Sequence, residues 1–130
     1  MKPHLINLPK VENATGNYTL IEGNAIPFEV KRVYYLYDIP VGAERGGHSH
    51  INQSAFLIAV SGSFDVILKD GFSEKIFTLD NPEIGLFVGT GVWRELNNFT
   101  SNAVCLVYSS DMFDENDYIR DYEDFLKTVK

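Results

Sequence analysis

Two histidines one residue apart, His48 and His50, close the run Glu44-Arg-Gly-Gly-His-Ser-His50. On a strand, side chains at i and i+2 share a face, so the pair projects together into whatever that face encloses. Imidazole titrates at about pH 6.5, which suits it both to divalent metals and to moving protons at neutral pH. Further ligands would favour a metal site. Arginines around a metal-free pair would favour proton abstraction next to a carbonyl on an anionic substrate.

The elements that must position these residues read as short strands. Residues 28–37 are β-branched and aromatic, and alternation puts Val30, Arg32, Tyr34 and Leu36 on one face. Residues 54–60 and 63–68 flank the turn Ser61-Gly62, and Lys69-Asp-Gly71 is a hairpin signal. Residues 76–79, 85–88, 92–96 and 103–108 continue the series, with turns between them and no helical period. This pattern predicts an all-β fold, a small β-barrel or sandwich. From Asp117 onward Tyr118, Tyr122, Phe125, Leu126 and Val129 recur at helical spacing, which predicts a short C-terminal helix laid over the barrel, with residues 114–117 as acidic first-turn candidates. Residues 1–25 predict short strands that pair with the chain's own sheet or with a second subunit.

A chain of 130 residues with 45% hydrophobic content is expected to form a single domain over 1–130 with a packed core. Its net charge of −7 makes nucleic acid or an anionic membrane surface a poor electrostatic match. Seven of the eighteen acids lie between Asp111 and Asp124, which leaves room for a basic pocket elsewhere. The single cysteine, Cys105, sits in an apolar run and reads as a small core residue. With no intramolecular disulfide to form, no signal peptide and no apolar run of spanning length, the expectation is a cytoplasmic protein.

The spacing Gly42-x5-His48-x-His50 resembles the first signature of the cupins, in which a later acid and a third histidine complete a metal site. Gly85-x3-Gly89-x-Gly91-x2-Arg94-x3-Asn98 matches the second signature in spacing, so a cupin-type jelly roll is expected. The ligands differ. Ser54 or Ala55 stands where the acid falls, and Arg94 where the third histidine falls. Two neutral imidazoles facing an arginine are a weak site for a divalent cation, so no metal is expected. The residues leave other readings open: a metal-dependent cupin enzyme, a non-catalytic nucleotide-sugar-binding module, or histidines that are only hydrogen-bonded barrel residues.

Residues 31–35, Arg45-Gly-Gly-His-Ser-His50, residues 61–68, residues 91–96 and the tail from Asp117 to Phe125 together resemble the nucleotide-sugar 3,4-ketoisomerases, metal-independent cupins acting on dTDP-4-keto-6-deoxyglucose. The resemblance covers nearly the whole chain in order. Ser49 stands where that family more often has Ala, on the face opposite the histidines. What the resemblance implies is an isomerase that moves the keto group from C4 to C3 through an enediol, without a redox cofactor, on the route to 3-amino deoxysugars of surface glycans such as O-antigen or of secondary metabolites. An epimerase on the same fold is a variant of that chemistry.

On this reading His48 is the base at C3, His50 its partner in proton delivery, and Tyr34 a group that stabilises the enediolate oxygen or relays a proton. Arg32 and Arg45 are expected to grip the diphosphate, since guanidinium pairs with phosphate oxygens, although Arg32 on a surface strand is the competing view. Arg94 contacts substrate if its face looks inward; alternation puts Trp93 and Glu95 opposite it, so only one set does. Trp93 is a candidate stacking platform for the base or a core residue. Arg120 reaches the site if the helix covers the barrel mouth, or else pairs with a neighbouring acid. Tyr118 and Tyr122 read as docking residues and His4 as a solvated terminus. Edge strands need cover, so a homodimer with exchanged N-terminal strands is expected.

Overall fold

The computed structural model describes residues 2–129. Twelve strands and two short helices follow in order: β1 (His4–Asn7), β2 (Lys10–Val11), β3 (Tyr18–Thr19), β4 (Arg32–Leu36), β5 (Arg45–His50), β6 (Ala55–Ser61), β7 (Phe64–Lys69), β8 (Glu74–Leu79), β9 (Ile84–Val88), β10 (Trp93–Asn97), β11 (Val104–Ser109), a 3₁₀ turn (Glu115–Asp117), β12 (Tyr118–Ile119) and α1 (Tyr122–Val129). Two five-stranded antiparallel sheets, ordered β1-β9-β6-β11-β4 and β12-β5-β10-β7-β8, make a jelly roll; β2 and β3 form a separate ribbon.

Period-two patterning builds the core between the sheets. Phe64, Val66 and Leu68 of β7 point inward, as do Leu57 and Ala59 of β6, Leu86 and Val88 of β9, and Cys105 and Val107 of β11. Burial pushes the Cys105 thiol up to about 12, so it packs as a small apolar group. Strand β6 is buried on both faces: Phe56 and Ile58 meet Leu8, Ile26 and Phe87 in a second cluster beneath the N-terminal segment. Within the chain, β1 pairs with β9, His4 opposite Phe87. His4 is thus solvent-exposed, as expected of a solvated terminus, but it lies on a paired strand with its ring against Phe87.

Two expectations change in position. The strand expected over 28–37 starts at Arg32, since residues 26–28 bend to place Ile26 and Phe28 in the second cluster. The helix starts at Tyr122, not Asp117: β12 is consumed as an edge strand on β5, with Tyr118 opposite His50. Asp121 then caps α1, its carboxylate accepting from the Asp124 N–H at 3.1 Å. The helix lies on the outer face of β10 rather than over the mouth, where Tyr122 and Phe125 pack on Trp93 at ring separations of 5.2 and 5.8 Å.

Candidate active site

Gly46 and Gly47 are what let β5 carry a site. Both have positive φ, +82° and +70°, which costs a glycine nothing. The register across β5 and β10 runs Arg94 opposite His48, then Glu95 opposite Gly46, so Gly47 is an extra, bulged residue. Directly opposed residues share a face of the sheet. Arg94, His48, Leu96 and Arg45 consequently all look inward, although Arg45 and His48 are three apart and simple alternation would separate them.

The inward set lines a cavity of about 660 Å³ at one end of the jelly roll, together with Arg32, Tyr34, His50, Phe113, Tyr118 and Arg120. His48 and His50 meet edge to face with ring centroids 4.8 Å apart, and Tyr118 packs on both, at 4.9 and 4.4 Å. Burial, then the Arg94 guanidinium, then His50 lower the His48 pKa to about 3. His50 is lowered to about 3 as well, by burial first and then by Arg94, Arg32 and Arg120, and the Asp117 carboxylate stands 3.0 Å from its Nδ1. Both imidazoles are neutral at pH 7 and free to accept protons.

The other groups supply hydrogen-bond donors and cations. Burial, and after it the nearby Tyr118, raises the Tyr34 pKa, so its phenol keeps its proton. Arg32 stacks on Tyr34 at 4.8 Å and donates to Gln53 Oε1 at 3.0 Å. Arg94 is 4% exposed, and its acceptors among the described residues are the carbonyls of Gly89 and Val92 at 3.4 and 3.5 Å; burial lowers its pKa to about 10, so it stays cationic. Arg120 donates twice to Glu115, at 2.6 and 2.9 Å, and lies over the Tyr118 ring at 4.3 Å. Strand β12, not the helix, brings it to the cavity.

Trp93 is not brought to this cavity. With Arg94 inward, Trp93 faces out against α1, and its indole N–H donates to Glu95 Oε2 at 2.8 Å, so it is a buried docking residue and no platform for a base. Sequence reasoning missed three site residues. Tyr118 read as a docking residue, Asp117 as a first-turn helix acid, and fully buried Gln53, which bridges Arg32 and Ser109, carried no signal. The cue for the first two was present in the tail motif but pointed to a helix.

The residues do not fit a divalent cation. Asp117 sits behind His50 on its Nδ1, and a guanidinium occupies the place opposite His48 where a further ligand would stand. Among the described residues no group of three or more His, Cys, Asp or Glu side chains is arranged to hold a metal. No described helix is long and apolar enough to cross a membrane.

Known proteins share this architecture. The chain is 42% identical over 130 residues, 99% of its length and 94% of the relative's, to a TDP-4-oxo-6-deoxy-alpha-D-glucose-3,4-oxoisomerase from Aneurinibacillus thermoaerophilus. It superposes on a 3,4-ketoisomerase from Helicobacter canadensis with a TM-score of 0.96 at 41% identity, covering 99% of this chain and 98% of that one. A mutant of the 3,4-ketoisomerase QdtA from Thermoanaerobacterium thermosaccharolyticum, solved in complex with TDP-4-keto-6-deoxyglucose, matches with a TM-score of 0.96 at 39% identity over 98% of this chain and 94% of that one. The family described as "FdtA: WxcM-like, C-terminal" matches residues 1–130, and the chain belongs to it.

Proposed function

We propose that this chain isomerises dTDP-4-keto-6-deoxy-D-glucose to the dTDP-linked 3-keto-6-deoxyhexose by proton transfer through an enediol. The observation that carries the reading is the pair of neutral, cavity-facing imidazoles opposite an arginine that has no carboxylate partner. The proton on C3 is acidic because it lies α to the C4 ketone. His48 removes it, and negative charge develops on the C4 oxygen. The Tyr34 phenol donates a hydrogen bond to that oxygen and Arg94 offsets the charge. His50 takes the proton from the C3 hydroxyl and passes it to the C4 oxygen, and as the carbonyl forms at C3 the protonated His48 returns a proton to C4. Protons and electrons balance within the sugar, so no oxidant or reductant is required.

Arg45 at the rim and Arg32 deeper in the wall are assigned to the diphosphate, with Arg120 a third cation held ready by Glu115. Residues 1–130 act as one catalytic domain in the cytoplasm, where a charged nucleotide sugar is retained, and the product serves 3-amino deoxysugars of surface glycans such as O-antigen. We further infer a homodimer: Val33, Tyr35 and Tyr37 leave an exposed apolar stripe on the outer face of β4 and beyond it. Exchange of β1 between chains would keep each β1–β9 bond. Light scattering after chromatography tests this, a monomer refuting it.

The test of the activity is incubation with dTDP-4-keto-6-deoxyglucose in deuterated water, followed by NMR. Wild type is expected to yield the 3-keto sugar with deuterium from solvent. His48→Ala and His50→Asn are expected to lose exchange while staying folded; undiminished exchange in both variants would refute the assignment.

A further inference from the structure

We infer that Asp117 is a positioning residue for His50, holding it as the Nδ1–H tautomer and leaving the Nε2 lone pair for the substrate. This rests on the isomerase reading for its consequence, but not for its geometry. Asp117 is 5% exposed, and its carboxylate is used on every side. Oδ1 accepts from the Asn52 N–H at 2.6 Å, and Oδ2 accepts from the Gln53 N–H at 3.2 Å. Both donors are backbone amides, so both oxygens serve as acceptors, as those of a carboxylate do. An ionised carboxylate only accepts. Toward such an acceptor the 3.0 Å contact between Oδ2 and His50 Nδ1 is a hydrogen bond that Nδ1–H donates.

The backbone around Asp117 is pinned as well. Its carbonyl accepts from the Ile51 N–H at 3.0 Å, and the next residue, Tyr118, is opposite His50 in the β12–β5 register. The tail is therefore stitched to β5 at the residue that carries the imidazole. His48 has no carboxylate behind it among the described residues: its Nδ1 is buried with no well-aligned partner, and the Gly46 backbone is the polar group that stands by the ring. The two histidines are thus differentiated by Asp117, which backs His50 and not His48.

The lock matters because of what else faces His50. Arg94, Arg32 and Arg120 all oppose a positive imidazole, neutral His48 and Tyr118 flank it, and burial removes water. Among the described residues Asp117 is the one anion in contact with the ring. When Nε2 takes a proton, the carboxylate balances the imidazolium, and when Nε2 gives it up the same hydrogen bond restores the starting tautomer. A single nitrogen that takes and returns a proton without rotating suits transfer between adjacent oxygens of one sugar.

The decisive measurement is nitrogen–proton correlation NMR on protein labelled with ¹⁵N-histidine, with steady-state kinetics on Asp117→Asn and Asp117→Glu. Wild-type His50 is expected as Nδ1–H. Asp117→Asn places an amide N–H beside Nδ1, so the tautomer is expected to reverse to Nε2–H, with kcat falling about 100-fold or more and KM within about threefold. Asp117→Glu is expected to retain the Nδ1–H tautomer and recover part of kcat. An Nε2–H signal in the wild type, needing no variant, overturns the inference; so does a loss of activity in Asp117→Asn with the tautomer unchanged. If wild type proves inactive on the keto sugar while its His50 is Nδ1–H, the substrate reading fails and the positioning of His50 stands.

Discussion

Arg94 on β10 lies directly opposite His48 on β5, inside the jelly roll, and among the described residues no carboxylate forms a salt bridge with it. A buried guanidinium with no salt-bridge partner in contact is costly, and among the described residues its N–H groups have two long carbonyl contacts while Nε has none. On the proposed isomerase reading, that charge is the counterpart of the negative charge that develops on the substrate.

Replacing Arg94 with Met is therefore expected to leave Tm unchanged or raised while kcat/KM falls about 100-fold, because the lost donor stabilises charge that develops only in the reaction. Thermal denaturation and kinetics on the same preparation check this. A fall in Tm with activity retained would make Arg94 structural.

Acid should weaken the fold through the two histidines. Both are held below the ordinary value of 6.5, so the unfolded chain binds protons that the native state does not, and stability falls as pH drops from 6.5 toward about 3. Denaturant titrations at a series of pH values are expected to show this slope, shallower in the His48→Asn/His50→Asn double variant. The acid limb of kcat/KM is expected well below 6.5; a limb at the ordinary histidine value would contradict neutral, shielded imidazoles.

Gly47 and Gly46 separate two costs. A Cβ on Gly47 meets open space, so Gly47→Ala tests backbone strain alone and should cost about 1–2 kcal/mol. A Cβ on Gly46 would also stand 3.1 Å from the Arg94 carbonyl and 3.2 Å from Leu96 Cδ1, so Gly46→Ala should cost more and shift the strand that carries His48. Urea midpoints of the two variants give the comparison.

Trp93→Ala should affect stability and spare binding. Removing the ring leaves α1 without its main contact and is expected to cost about 3–5 kcal/mol. Affinity for dTDP, measured calorimetrically below the unfolding transition, is expected within about twofold of wild type, since Trp93 faces away from the cavity. A loss of affinity larger than the loss in Tm explains would return Trp93 to the site.

Much of this was legible in the residues themselves. Alternation along β7 and β11, the turns at Ser61-Gly62 and Lys69-Asp-Gly71, and the His-x-His spacing report local geometry, and strand period and turn chemistry are local properties. Arg94 in place of a metal ligand could likewise be read from spacing alone. The tail resisted because residues 117–119 carry a helical period yet have their backbone hydrogen bonds and the Asp117 carboxylate satisfied on β5, a partner distant in the chain. Pairing of that kind has no signature within the segment that makes it.

The amino-acid sequence by itself determined the strand pattern, the two imidazoles on one face and the arginines available to an anion. Tertiary structure alone decided which face of β10 looks inward, because one bulged glycine sets the parity of β5 and so joins Arg45 to His48 while turning Trp93 away. It alone decided that Asp117 stands behind His50. Both outcomes depend on register between strands far apart in the chain, and register is a property of the pair, not of either strand.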